Sequence, residues 1–204
     1  MLFRSIELFI HNVAASYYVD RFGLTLASAG FAAGSFGLLA LFARALGGLS
    51  SDRVARSGGL KARTWLLVAL LAGEGLGLLA FSRMTAVTPA IMAMLAFGLF
   101  THMSCGAIYA LVPFVDRKAL GGVTGIVGAG GNVGGVAAGF ILKGAGSLPQ
   151  TLSILGCCVL ATAALALAVR FSLAHQDAER KLYDEAMARR NAGRATGLPV
   201  ATPA

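Results

Sequence analysis

Charged side chains are scarce in this chain. Asp, Glu, Lys and Arg make up 13% of its 204 residues, where a water-soluble domain carries roughly a quarter. Acids are scarcer still, nine against seventeen Lys and Arg. Hydrophobic residues make up 57% of the chain and the mean hydropathy is +0.76. One water-soluble core cannot hide that much apolar surface, so a soluble domain is excluded and a membrane protein is indicated. Cysteine is rare as well. Cys105, Cys157 and Cys158 fall in apolar stretches, and no His/Cys spacing matches a zinc site. They read as small packing residues, so neither a metal nor a cofactor is expected. A Gly-Lys-Ser/Thr phosphate loop is missing. The first apolar stretch holds Arg4, Glu7 and His11 and lacks a small-residue cleavage site, which sets aside a cleaved leader.

What is present is a series of apolar segments long enough to cross a bilayer, which takes about 20 helical residues. Candidate spans cover about 1–19, 26–48, 63–82, 87–113, 120–143 and 149–173, six spans with short connections and an all-α fold. The basic residues then sort by side. Arg4, Arg53, Arg56, Lys61, Arg63, Arg117 and Lys118, with Arg170 and the Arg and Lys residues of the tail, fall on alternate connections. The opposite loops hold Arg21, Arg83 and Lys143. The positive-inside rule makes the richer side, and the C-terminus, cytoplasmic. The net charge of +8 is therefore a topology signal, and no nucleic-acid partner is expected. Residues 174–204 form a polar, basic tail. A surface helix is expected over 174–191, where Glu185 and Arg189 form an i,i+4 pair, and disorder from about 192.

Polar groups inside the spans mark candidate functional positions, because ionisable residues at membrane depth are costly and usually face a cavity. Arg4, Glu7, His11, Ala14 and Tyr18 follow a 3-4-3-4 spacing, a polar stripe down one helix face, with Asn12 beside it. Arg44 is the one charge within 26–48, near the cytoplasmic end, where a snorkelling arginine is the plainer reading. Glu74 stands between glycines in the third span. The fourth contains His102, Tyr109 and Pro113.

The stretch "GIVGAGGNVGGVAAGF", residues 125–140, puts seven glycines and Asn132 into sixteen residues. A dinucleotide fingerprint fails because Val133 occupies its third glycine position and neither a preceding strand nor a following acid is present. The stretch is too apolar for a linker. Helix contact remains: Gly121–Gly125, Gly130–Gly134, Gly131–Gly135 and Gly135–Gly139 are small-xxx-small pairs that let helix backbones approach in lipid. Asn132 reads either as an interhelical hydrogen bond or as a polar contact that the glycines leave uncovered.

These residues resemble a family. "GIVGAGGNVGGVAAGF" is similar to the nitrate signature of the nitrate/nitrite porters, within the major facilitator superfamily. "GSFGLLALFARALGGLSSDR" resembles their eighth helix and the Gly-x-x-x-Asp-Arg loop, "ELFIHNVAASYYVDRFGL" their seventh and "HMSCGAIYALVPFVDRKALGG" their tenth. The match covers about residues 5–172 in the expected order. It implies the C-terminal half of a twelve-span, alternating-access transporter of a small planar anion, not an enzyme, which needs an N-terminal six-span half. It also implies a cell membrane location, with the bacterial inner membrane expected. Arg44 would be one of two substrate arginines and Asn132 the signature asparagine, with Gly131, Asn12 and Tyr109 as further substrate contacts. Asp52 and Arg53 would form a cytoplasmic gate. His102 and Cys105 stand where an amide and an acid are expected, which bears on any proton coupling. Nitrate against nitrite stays open. So do another anion or organic-acid carrier of the superfamily and a non-transporting membrane fragment.

Overall fold

A computed structural model describes residues 2–114 and 119–169, with a few further positions between 172 and 188. Among the described residues the fold is all-helical, without strands. The helices are α1 (Leu2–Phe22), α2 (Leu26–Ser82), α3 (Val87–Leu111), α4 (Leu120–Ala145) and α5 (Leu148–Ala166), with a 3-10 turn at Val112–Phe114. Among the described residues, four stretches are long and apolar enough to cross a membrane: α2, α3 with its 3-10 turn, α4 and α5. Arg4, Glu7, His11 and Asn12 lower the hydropathy of α1, which is not among them.

Five helical elements stand where the spacing predicts six spans. The segments 26–48 and 63–82 and the loop between them run as one helical stretch, interrupted at Gly59 (φ 57°, ψ −149°). Residues 49–57 contain no proline or glycine, so the helix continues over the predicted loop until a residue that tolerates positive φ lets it break. The break is a reversal. Arg63 bonds to Ser51 and Asp52, yet residues eleven apart in an unbroken helix lie about 17 Å apart. The arms 26–58 and 60–82 therefore fold back on one another.

The last helix ends earlier than 173. Leu167, Ala168 and Val169 donate to carbonyls three residues back, at 3.2, 3.0 and 3.2 Å, and this tightened turn closes the helix at Ala166. Within the surface helix expected over 174–191, the described positions 176–177, 180–181, 184–185 and 187–188 are helical, and the disorder expected from 192 falls outside the described residues.

Packing is set by small residues. Lipid gives no hydrophobic drive between helices, so close backbone approach and interlocking side chains do the work. At the crossing of α2 and α3, a Cβ added at Gly47 would stand 2.7 Å from the Met103 backbone, and one at Gly106 would strike the Arg44 carbonyl group. On α5, Gly156 sits against Gly75, with 3.1 Å from an added Cβ to the Gly75 carbonyl oxygen. Between these contacts lie the buried rings of Tyr18, Phe36, Phe81 and Phe97. The centroids of Phe36 and Phe81 lie 5.6 and 5.4 Å from that of Phe97, within the favourable range for aromatic pairs.

Candidate functional site

Arg44 lies one turn before the Gly47 crossing, its backbone pinned against Gly106 of α3. That contact fixes where the side chain can go. Its Nη2 donates to Oε1 of Glu7, across the α1–α2 interface. The two partners differ in access: the Glu7 side chain is 9% exposed and that of Arg44 is 41% exposed. The acid lies behind the base as seen from the open side. The pair is also incomplete. Arg44 Nε and Glu7 Oε2 are buried without a hydrogen-bond partner, so the fork-to-fork geometry that makes arginine–carboxylate pairs strong is not used.

Around this pair the polar stripe of α1 runs from buried Glu7, Ala14 and Tyr18 to exposed His11. Tyr18 is fully buried and its hydroxyl donates to Sδ of Met94, at 3.6 Å. His11 stacks edge-on against Phe36 at 5.3 Å. Opposite, α3 presents buried Thr101, His102, Ser104 and Cys105. The second nitrogen of the His102 ring, Nε2, lies 3.0 Å from the Phe36 carbonyl oxygen, while Nδ1 has no partner. Glu74, on the second arm of α2, is fully buried, with Thr101 of α3 beside it. Among the described residues no group of three His, Cys, Asp or Glu could hold a metal ion.

The glycine stretch lies inside α4 and has two sides. Gly131, Gly134 and Gly135 meet α1: added Cβ atoms would stand 2.7–2.8 Å from the Arg4 side chain, 2.8 Å from Ser5 Cβ and 3.6 Å from Leu8 Cβ. At Gly121, Gly125, Gly128 and Gly139 an added Cβ would meet nothing within 4 Å. Gly131 therefore touches the α1 stripe through Arg4 and not through Arg44. Asn132 is exposed beside it, with no side-chain hydrogen bond among the described residues.

The remaining sequence candidates are spread. Asn12 is exposed and its Nδ2 donates to the Leu8 carbonyl of its own helix at 2.7 Å. Tyr109 is half-buried one turn past Gly106 and packs on the core. Asp52 is exposed and pairs with Arg63 at 2.8 Å; Arg53 is exposed outside that pair. Arg63 also donates to Ser51 Oγ at 2.9 Å and lies 5.1 Å from the Phe114 ring centroid. The sequence singles out Arg44, Asp52 and, through the Arg4–Glu7–His11 spacing, Glu7, but pairs none of them. Nothing local pointed at Arg63, because its approach to Asp52 depends on the reversal at Gly59.

The arrangement places an arginine with unused donor capacity inside an apolar helix bundle. The chain is 41% identical over 131 residues to the high affinity nitrate transporter 2.5 of Arabidopsis thaliana, covering 64% of this chain and 26% of the relative. The relatives with which it aligns are nitrate and nitrite transporters. It is 40% identical over 130 residues to nitrate transporter 2.2 of Chlamydomonas reinhardtii, 63% of this chain and 25% of that one. To the nitrate/nitrite transporter NrtP of a Picosynechococcus strain it is 34% identical over 134 residues, 64% of this chain and 24% of NrtP. The chain thus spans about a quarter of the length of these nitrate and nitrite transporters. No family model matches it, and no solved structure does.

Proposed function

We propose that this chain is the C-terminal six-span part of a nitrate/nitrite transporter of the major facilitator superfamily, and that Arg44 holds the anion. In this reading α1, the two arms of α2, α3, α4 and α5 make six crossings. They rock against an N-terminal six-span half, with the ion between the halves near the bilayer midplane. The supporting observation is the Arg44 guanidinium, partly open and fixed at a backbone crossing, in a chain whose relatives carry nitrate transport in their names.

The chemistry suits a planar monovalent oxyanion. A guanidinium keeps its charge in a low-dielectric site and presents a planar fork of donors, which a lysine ammonium does not. Asn132 supplies amide donors from the open face of α4, with Gly131, Tyr109 and Asn12 near the same pathway. On the cytoplasmic side Asp52, next to Arg53, forms the gate by pairing with Arg63 in one conformation and releasing it in the other. The excess of basic residues on one side puts the C-terminus in the cytoplasm, and the bacterial inner membrane is the setting that fits the reading. Proton coupling belongs to it as well, and is developed below.

Arg44→Lys in the full transporter tests the reading. Nitrate uptake should be abolished with membrane expression unchanged, and normal uptake would remove Arg44 from the site. Competition by nitrite and by small carboxylates separates a nitrate/nitrite carrier from an organic-acid carrier of the same superfamily.

A further inference from the structure

We propose that the Glu7 carboxylate is an internal anion that occupies the Arg44 seat, and that it must take up a proton and let go before a free anion enters. This rests on the reading of Arg44 as the anion seat. One edge of a guanidinium cannot serve two oxyanions at once, and in this structure Glu7 has it. The contact is the kind that can be exchanged. It uses one carboxylate oxygen and one guanidinium nitrogen, with Glu7 Oε2 and Arg44 Nε left over. The access is also right, since Arg44 is open where Glu7 is not. A newcomer can reach the guanidinium without passing the acid.

Charge balance supplies the coupling. With Glu7 ionised and the seat held internally, the pair is neutral. If an anion took Arg44 while Glu7 stayed ionised, a buried carboxylate would be left without its partner, which is strongly unfavourable. If Glu7 gains a proton as the anion arrives, the centre stays neutral. Its one O–H bond forms as the ionic contact to Arg44 is lost, and one proton enters with each monovalent anion.

Charged and titratable groups stand near Glu7 on each element packed against it. On its own helix α1, Arg4 and His11 lie about one turn away on either side. On α2 they are Arg44 and, from the second arm, Glu74, and on α3 they are His102 and Cys105. From α4 come Gly131 and Gly134, against Arg4 and Ser5, and the one charged side chain of α4, Lys143, lies in its last turn. The α5 helix carries no charge. His102 and His11 are the groups through which a proton could reach the carboxyl.

Linkage is reciprocal. Nitrate affinity should therefore rise as pH falls in the wild type and not in Glu7→Gln. The test is arginine-directed labelling with phenylglyoxal in membranes from cells that express the full transporter, read at Arg44 by peptide mass spectrometry and normalised to exposed Arg53. Without nitrate, Arg44 should label several-fold faster in Glu7→Gln than in the wild type at alkaline pH, and the two should converge as pH falls. With nitrate, protection should steepen as pH falls in the wild type and be flat with pH in Glu7→Gln. Equal labelling of the two proteins at every pH would overturn the proposal. So would a wild-type protection curve that ignores pH, which needs no variant to fold. If nitrate protects neither protein while the Glu7 dependence persists, the internal anion stands and the nitrate site falls. If nitrate protects both proteins equally at every pH, the reverse holds.

Discussion

Helices α3 and α4 have nearly the same length and the same apolar, glycine-bearing character, yet the bundle treats them differently. Of the most apolar stretch in Val87–Phe114, 44% is buried, against 11% in Leu120–Ala145. The α3 helix lies deep against both arms of α2, with its Gly98 against the Phe36 ring and its Gly106 against the Arg44 backbone. The α4 helix meets α1 along one edge and leaves Ile126, Val133, Val136 and Phe140 exposed. The difference is one of partners. Gly106 of α3 meets backbone and Gly98 a buried ring, neither of which yields easily, whereas the packed glycines of α4 meet mainly flexible or small side chains. The cost of adding a side chain should therefore fall in steps across the two helices.

The largest effect is expected at Gly106. A valine there would drive its side chain into the Arg44 carbonyl. Overpacking against rigid groups costs about 1–3 kcal/mol or more, and the forced shift would also move the guanidinium. Gly106→Val should lower the thermal midpoint of the purified protein and abolish transport. An unchanged midpoint would mean that the α2–α3 crossing is looser than described.

A middle effect is expected at Gly131→Val. Its obstacle is the flexible stem of Arg4, which can move aside at a cost near the lower end of that range, about 1 kcal/mol. Because Arg4 lies one turn from Glu7, the variant should also alter the pH dependence of transport. A loss as large as that of Gly106→Val would erase the distinction drawn between the two helices.

How much of this the sequence carried differs from feature to feature. The helical class and the membrane-length apolar stretches follow from composition and periodicity, which are local. The glycine spacing marks where backbones can approach, and Gly131, Gly134 and Gly135 do lie against α1. Yet the same spacing at Gly121–Gly125 has no neighbour within 4 Å. Small size permits contact and does not choose it. The continuation of α2 to the Gly58–Gly59 pair is not legible in the charge pattern, which suggests a loop where no proline or glycine stops the helix before Gly58. Long-range pairs were hidden for a related reason. Arg63 reaches Asp52 through a chain reversal, and Glu7 reaches Arg44 through the packing of two separate helices. Neither appears in any window of sequence.

The smallest effect is the most informative about the open face of α4. Gly128 has nothing within 4 Å of an added Cβ, so alanine there meets no obstacle. Alanine also removes the backbone entropy that glycine loses in a helix, a gain of about 1 kcal/mol in an exposed helix. For a chain of this size that corresponds to a rise of about 2–4 °C in the thermal midpoint. Gly128→Ala should therefore stabilise the protein slightly. If the uncovered glycines are where another part of the transporter closes during the cycle, the same variant should slow nitrate uptake, since the methyl group then stands between two backbones. A stabilised protein with slower uptake would place a moving partner on this face. A stabilised protein with unchanged uptake would leave the face to lipid, and the contrast with α3 would be one of environment alone.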